Sequence, residues 1–388
     1  MTTEFHRNFF VFSVLSLVAI SSVLGQDRRI TINVHLPAAT PRDASIFITG
    51  NSPLLGNWDP GKTKLVQEND SLWTLSFTMP MRSVLEFKIT RGSWQTEALY
   101  VDGVIPSNTT IPVMSDTVVT IRPVTWSDVS PVRRGRVSGA GIVGTVKYHR
   151  SLKGEGLKYD HDLIVWLPPS YGTNLERRYP VLYMHDGQNV FDPSTSFIGY
   201  DWRADEVADS LIRAKAIEEI IIVGISNTPD RIAEYSDTPL GRSYGRFVVN
   251  KVKPLVDSLY RTSPSRENTA VMGSSMGGVI SFLFCCWYPE VFSKAGCLST
   301  AIGPYANEVR FEKAYKEIGA RGTPRIYMDV GELEPELVPG NRALQEFLLK
   351  VGYREGEDFE FFFAKGAVHN EQAWAHRLWR PLKFMFGR

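Results

Sequence analysis

Two rhythms of apolar and polar residues divide the chain. From Arg29 to about Pro123, short runs alternate with period two, as in "RITINVHL", "ASIFITG", "LWTLSFTM", "VLEFKITR" and "TVVTIRP". Turn-rich stretches such as "GNSPLLGNWDPG" and "VDGVIPSN" separate them. Such alternation suits strands with one buried face, and about 100 residues of it predict an all-β sandwich. After Thr145 the strands become solid apolar runs: "HDLIVWLPP", "YPVLYMHDG", "EEIIIVGIS", "NTAVMGSS", "RIYMDVG" and "FEFFFAKG". Helical patterns such as "DEVADSLIRAKA" and "RFVVNKVKPLVDSLYR" lie among them. Strands apolar on both faces need cover on both, so this half reads as an α/β domain with a mostly parallel sheet. The intervening "TWSDVSPVRRGRVSGAGIVG" carries no apolar period and reads as a linker.

The N-terminus adds a compartment. Residues 8–24, "NFFVFSVLSLVAISSVL", form one apolar stretch behind His6 and Arg7, with small Val23 and Gly25 before Gln26. This is the pattern of a secretory signal; the alternative is an uncleaved anchor, because ~17 residues just suffice to span a bilayer. No later segment is as long and apolar, so no membrane span is expected after cleavage, and the protein is expected to be secreted or periplasmic. The predicted organisation is a signal peptide over 1–25, a β-sandwich over 26–125, a linker over 126–143 and an α/β domain over 144–388.

Composition removes some partners. A formal net charge of +1 over 388 residues offers no basic excess for nucleic acid. Cys285, Cys286 and Cys297 sit in apolar sequence and are expected as buried hydrophobes, neither a disulfide framework nor zinc ligands. No metal or cofactor is called for.

The candidate chemistry lies in "AVMGSSMGGVIS". Gly273-Ser274-Ser275-Met276-Gly277 follows a strand and opens a helical run, the context in which G-x-S-x-G forms a nucleophile elbow. Side chains at the glycine positions are expected to clash with the neighbouring strand and helix. Ser275 would project above the sheet at a helix N-terminus, where the backbone dipole favours developing negative charge. A serine needs a base, and in the chain order of this elbow only His369 and His376 follow it. His369 lies in a loop after the strand "FEFFFAKG", whereas His376 falls in a helical run and is expected on its surface or in its packing. The acid should follow "RIYMDVG": Glu334, three past Gly331, is the first choice and Asp329 the second. Met276 N–H supplies one oxyanion donor by position, and Gly187 or Gln188, after "YPVLYMHDG", the other. His185 and Asp186 precede the serine and are expected to shape their loop.

"LYMHDGQNVFDP", "VGISNTPDRIAEYS", "VMGSSMGG", "MDVGELE" and "KGAVHNEQAWAHRLW" together resemble the esterase family that includes enterochelin esterases, esterase D and feruloyl or acetyl-xylan esterases. The resemblance covers roughly 144–388 and implies an α/β-hydrolase fold, carboxylic-ester hydrolysis, and the roles of Ser275, His369 and Glu334 as nucleophile, base and acid. Family members more often carry Asp at or near the acid's position. Arg231, Glu234 and Tyr235 of "RIAEYS" also match, as an ion pair or as a cleft wall.

In the first half, "IFITGNSPLLGNWDP", "LEFKITRGSW" and "DGVIPSN" resemble family-20 starch-binding modules, which are immunoglobulin-like sandwiches. The resemblance implies a carbohydrate site at Trp58, Lys88 and Trp94, with Asn108 as a further partner. The alternative is that Trp58 and Trp73 are core residues of a module that only packs on its neighbour. Together these readings predict a secreted serine esterase acting on carbohydrate-linked esters, acetyl or feruloyl, with polysaccharide as a further partner of the module. Acyl transfer to a sugar would use the same triad, and a carbohydrate-binding protein with an inactive hydrolase domain is the alternative of another class.

Overall fold

The computed structural model describes residues 27–100, 108–129, 141–197, 199–302, 311–316 and 323–388; the expected signal peptide lies outside them. In the first half two four-stranded sheets face each other. One runs in the order Val66–Gln67, Leu72–Pro80, Asp27–His35, Thr117–Ile121, and the other Thr63–Lys64, Phe47–Gly50, Val84–Thr90, Thr109–Pro112. The period-two rhythm now has a cause: Ile30, Ile32 and Val34 of one sheet and Leu85, Phe87 and Ile89 of the other point into a shared core. Between them, their neighbours on each strand face outward.

Thr125 and Trp126, where the sandwich is expected to give way to a linker, belong to the sandwich packing. Thr125–Trp126 pairs with Ala98–Leu99, and Trp126 is buried in the sandwich core with its Nε1 donating to Thr40 Oγ1 at 2.8 Å. Trp126 stands among polar residues with no apolar period, yet its ring completes the core.

The second half is built on one eight-stranded sheet. Its order is Thr145–Leu152, His161–Leu167, Ile221–Ile225, Val181–His185, Thr269–Ser274, Lys294–Leu298, Arg325–Gly331, Phe359–Ala364. The first two strands join antiparallel, as do the second and third, and every later pairing is parallel. This is the α/β-hydrolase arrangement. Alternate residues serve two cores: Leu163, Val165, Tyr183, Val223 and Val271 pack on one face, and Ile164, Trp166, Leu182, Met184, Ile222 and Met272 on the other. Helices Ala204–Arg213 and Trp379–Phe386 cover the second face, and Met276–Trp287 covers the first. Double cover explains why these strands are solid apolar runs. Cys285, Cys286 and Cys297 are buried free thiols in this packing. Among the described residues, no helix is long and apolar enough to cross a membrane.

Candidate active site

A parallel sheet collects its strand ends along one edge, and the chain leaves each strand there into a loop. Ser275 follows Thr269–Ser274 and caps the helix Met276–Trp287 with φ 56° and ψ −123°. Such a conformation in a non-glycine residue costs about 1–3 kcal/mol and persists only when its surroundings enforce it. Here the Ser275 amide donates to Leu298 O at 2.9 Å, and the Ser275 carbonyl accepts from Gly278, Val279 and Ala301. The residue is partly exposed while both neighbours are buried, so the turn presents its side chain.

The glycines of the elbow are not equivalent. A Cβ at Gly273 would stand 2.8 Å from the Gly277 carbonyl, as the sequence led one to expect. At Gly277 it would meet only His185 Cβ at 3.4 Å and Asp186 Oδ2 at 3.5 Å, ordinary contacts. The expected clash at that position is therefore absent. It falls on Gly278 instead, whose Cβ would lie 2.8 Å from Thr300 Oγ1.

His369, in the loop after Phe359–Ala364, turns Nδ1 toward Glu334 Oε1 at 3.5 Å. The distance is long for a hydrogen bond. Trp374 meets the His369 ring edge-on, 5.0 Å between centroids, and fixes its orientation. Glu334 is 1% exposed and accepts from Ser299 Oγ at 2.8 Å and Gly331 N at 3.1 Å. Burial alone would raise its pKa, but the His369 ring, the charge of Arg377 and the Ser299 hydroxyl outweigh it and hold the group below the usual glutamate value.

Asp329 is differently engaged. Arg377 clamps it through Nε and Nη2, both at 3.0 Å, and Ser299 N and Tyr327 OH complete its shell at 3.1 Å each. Ser299 thus joins the two acids, and its hydroxyl also accepts from Arg377 Nη2 at 2.7 Å and Trp374 Nε1 at 2.9 Å. Ser299 and Arg377 were not singled out from the sequence: Ser299 lies outside the motifs, and Arg377, though within "KGAVHNEQAWAHRLW", meets Asp329 only because the helix after His369 brings it back to the strand. His376 is exposed on that same helix.

Gly187 and Gln188 open the short helical turn Gly187–Asn189, so their amides stand where N–H groups lack partners within the turn. Met276 N–H is in the same position at its own helix. Asp186, left-handed at φ 58°, is held by Arg231 in a two-point ion pair at 2.6 and 2.7 Å and by Asn227 Nδ2 at 2.6 Å. Its burial is outweighed by Arg231, and its pKa is lowered. His185 bonds Tyr244 OH at 2.9 Å, and burial drives its pKa down to about 3, so it stays neutral. Both shape the loop, and of the two readings of Arg231 the ion pair is the arrangement found. Glu371 is buried nearby and bonded by Asn189 Nδ2 at 3.2 Å; burial lifts its pKa to about 7.

In the sandwich, Trp58 stacks on Trp94 with centroids 6.4 Å apart and planes at 24°. Lys88 Nζ donates to buried Glu97 at 2.6 Å, and Asn108 Nδ2 to Glu86 Oε2 at 3.1 Å. Trp73 is a core residue. Among the described residues one acidic group could hold a cation: Asp201, Asp205 and Glu206 bring ligand oxygens within 4.8 Å of one another. Asp205 accepts the Val143 amide and Glu206 faces Arg203, which gives both structural partners.

Comparison with known proteins agrees with this architecture. The family described as "Putative esterase" matches residues 154–385, and the starch binding domain family matches 28–119. The protein YbbA of Bacillus subtilis is 23% identical over 245 residues, 58% of this chain and 92% of that protein. An endo-1,4-beta-xylanase/feruloyl esterase of Xylanibacter ruminicola is 26% identical over 233 residues, 57% of this chain and 29% of that longer protein. The crystal structure of the enterobactin esterase FES from Shigella flexneri shares the fold at 16% identity, with a TM-score of 0.53 and 92% of both chains covered.

Proposed function

The chain belongs to the family described as "Putative esterase" and is a carboxylic-ester hydrolase; from that premise we propose a secreted serine esterase that cleaves acyl groups, acetyl or feruloyl, from carbohydrate alcohols. Ser275 Oγ attacks the ester carbonyl while His369 takes its proton. Glu334 orients the His369 ring through Nδ1 and stabilises the imidazolium that forms. The tetrahedral oxygen is held by Met276 N–H and by the N–H of Gly187 or Gln188. The C–O bond to the alcohol then breaks as His369 returns the proton to the departing oxygen. Water, activated by the same histidine, releases the acid from the acyl-serine.

The observation that carries this reading is the strained, partly exposed Ser275 on the sheet edge that also bears the His369–Glu334 pair. Carbohydrate esters are favoured by the feruloyl esterase among the relatives and by the starch-binding likeness of residues 28–119. Export rests on the apolar stretch 8–24, and the organisation into sandwich, linker and hydrolase domain is part of the same reading. A fluorophosphonate probe tests the nucleophile: wild type should label and Ser275→Ala should not. Inert wild type, or equal labelling of the variant, would overturn it.

A further inference from the structure

The proposed site draws on three strand ends, and the sheet fixes only two of them against each other. Val181–His185, which leads into the Gly187–Asn189 turn, pairs directly with Thr269–Ser274, which leads into Ser275. Phe359–Ala364, which leads into the His369 loop, lies four strands away from Val181–His185 in the sheet order, about 19 Å at about 4.8 Å per strand. Backbone pairing therefore sets the turn beside the nucleophile, but it does not set the base beside the turn. Side chains have to do that.

Asn189, the last residue of the turn, is buried and bonded through every polar group it has. Its amide donates to Asp186 O and its carbonyl accepts from the Trp202 amide, both at 2.8 Å. Its side chain spans two further segments: Oδ1 accepts from the Phe197 amide at 2.8 Å, and Nδ2 donates to Glu371 Oε1 at 3.2 Å. Glu371 is equally buried, stands two residues after His369, and opens the helix Glu371–Arg377. That helix is tied at both ends, by Asn370 Oδ1 accepting from the Ala373 amide at 2.9 Å and by the Arg377 clamp on Asp329. One turn beyond Glu371, Trp374 meets Trp202 with ring centroids 5.6 Å apart. The helix after the base thus rests on the segment after the turn at two adjacent points, one polar and one aromatic. The root of the turn is held separately, Asp186 by Arg231 and Gln188 Oε1 by the Asn227 amide at 3.1 Å. A carboxyl oxygen accepts an N–H whether or not the group is ionised, so the bond to Asn189 does not depend on the charge of Glu371.

We propose that Asn189 and Glu371 are positioning residues for the ester hydrolysis: their hydrogen bond sets the spacing between the oxyanion donor of the Gly187–Asn189 turn and the His369 base. In this role neither side chain touches the reacting atoms. The demand is geometric, since the donors must stand about 3 Å from the tetrahedral oxygen while His369 faces Ser275 Oγ. A misplacement of about 1 Å can cost about 100-fold in rate. The oxyanion forms only on the way to the transition state, so a displaced donor lowers kcat and leaves KM nearly alone. The inference rests on the triad and oxyanion reading above.

The test reverses the polarity of the bond. Asn189→Asp keeps the acceptor for the Phe197 amide but sets an oxygen against Glu371; adding Glu371→Gln supplies an amide that can donate back. With p-nitrophenyl acetate, and kcat expressed per site titrated by a fluorophosphonate, Asn189→Asp and Glu371→Ala should each lower kcat about 10- to 100-fold with KM within about twofold of wild type. The inhibition constant of a trifluoromethyl ketone, whose adduct with Ser275 carries the oxyanion, should rise by the same factor. The double variant Asn189→Asp with Glu371→Gln should recover most of the kcat lost by Asn189→Asp alone. If Asn189→Asp does not fold, Glu371→Ala decides by the same two readings. Folded variants with wild-type kcat per site, a loss taken up by KM, or a double variant no better than Asn189→Asp overturn this inference alone. A wild type that neither cleaves the ester nor takes the fluorophosphonate overturns the hydrolase reading and this inference with it.

Discussion

Asp329 and Glu334 sit at the end of one strand and in the loop after it, both almost wholly excluded from water and both bonded to Ser299. They differ in their counter-charge. Asp329 has a guanidinium clamped on both oxygens, and nothing is left over for a histidine. Glu334 has a hydroxyl, an amide and the His369 ring, an environment that satisfies an anion while leaving one interaction for a proton carrier. Burial does not set the two acids apart; the charge that faces each does.

The comparison can be broken in several ways. The largest effect is expected from Glu334→Gln, which should lower kcat by about 10,000-fold by leaving His369 with the wrong tautomer, with little change in Tm. Steady-state kinetics beside a melting curve would read both. Asp329→Asn should act oppositely: it leaves Arg377 buried without its anion and should cost about 3–5 kcal/mol in denaturant unfolding. Activity of the folded fraction should fall far less than in Glu334→Gln, and the reverse ranking would reassign the acid.

Glu371 sharpens the contrast, being a buried carboxyl with no cation clamped on it. Its folded pKa, raised to about 7, lies above the unfolded value, so the folded state holds the proton longer. Stability should therefore fall as pH rises from about 4.5 to about 7, by about 3 kcal/mol in all, and level off beyond. Glu371→Gln should flatten that slope in unfolding curves measured across the window. The smallest effect belongs to Ser299→Ala, which removes a hydroxyl shared by both acids: about 1–2 kcal/mol of stability and a kcat loss well short of that in Glu334→Gln.

Much of this was legible in the chain because apolar period and strand-to-helix context are local signals. Solid runs marked six of the eight strands in the large sheet. The two that escaped have reasons. Lys294–Leu298 is "KAGCL", short and without β-branched residues, and Thr145–Leu152 is an edge strand with one paired side and a polar sequence. Ser275, His369 and Glu334 could be chosen because each follows a readable strand. Arg377 and Ser299 could not, since their meaning depends on contacts between distant segments. The glycine pattern misled for a related reason: G-x-S-x-G names Gly277, but the close approach belongs to Gly278 and the turn carrying Thr300.

Gly187 and Gly224 lie back to back where the proposed oxyanion donors leave the sheet. A Cβ on the first would come 2.4 Å from the other's carbonyl carbon, and a Cβ on the second 3.0 Å from Gly187 Cα. For anyone redirecting the enzyme by directed evolution, this pair is a fixed floor. Saturation libraries at Gly187 should return almost nothing but glycine, and new substrate range has to be sought in the side chains around it.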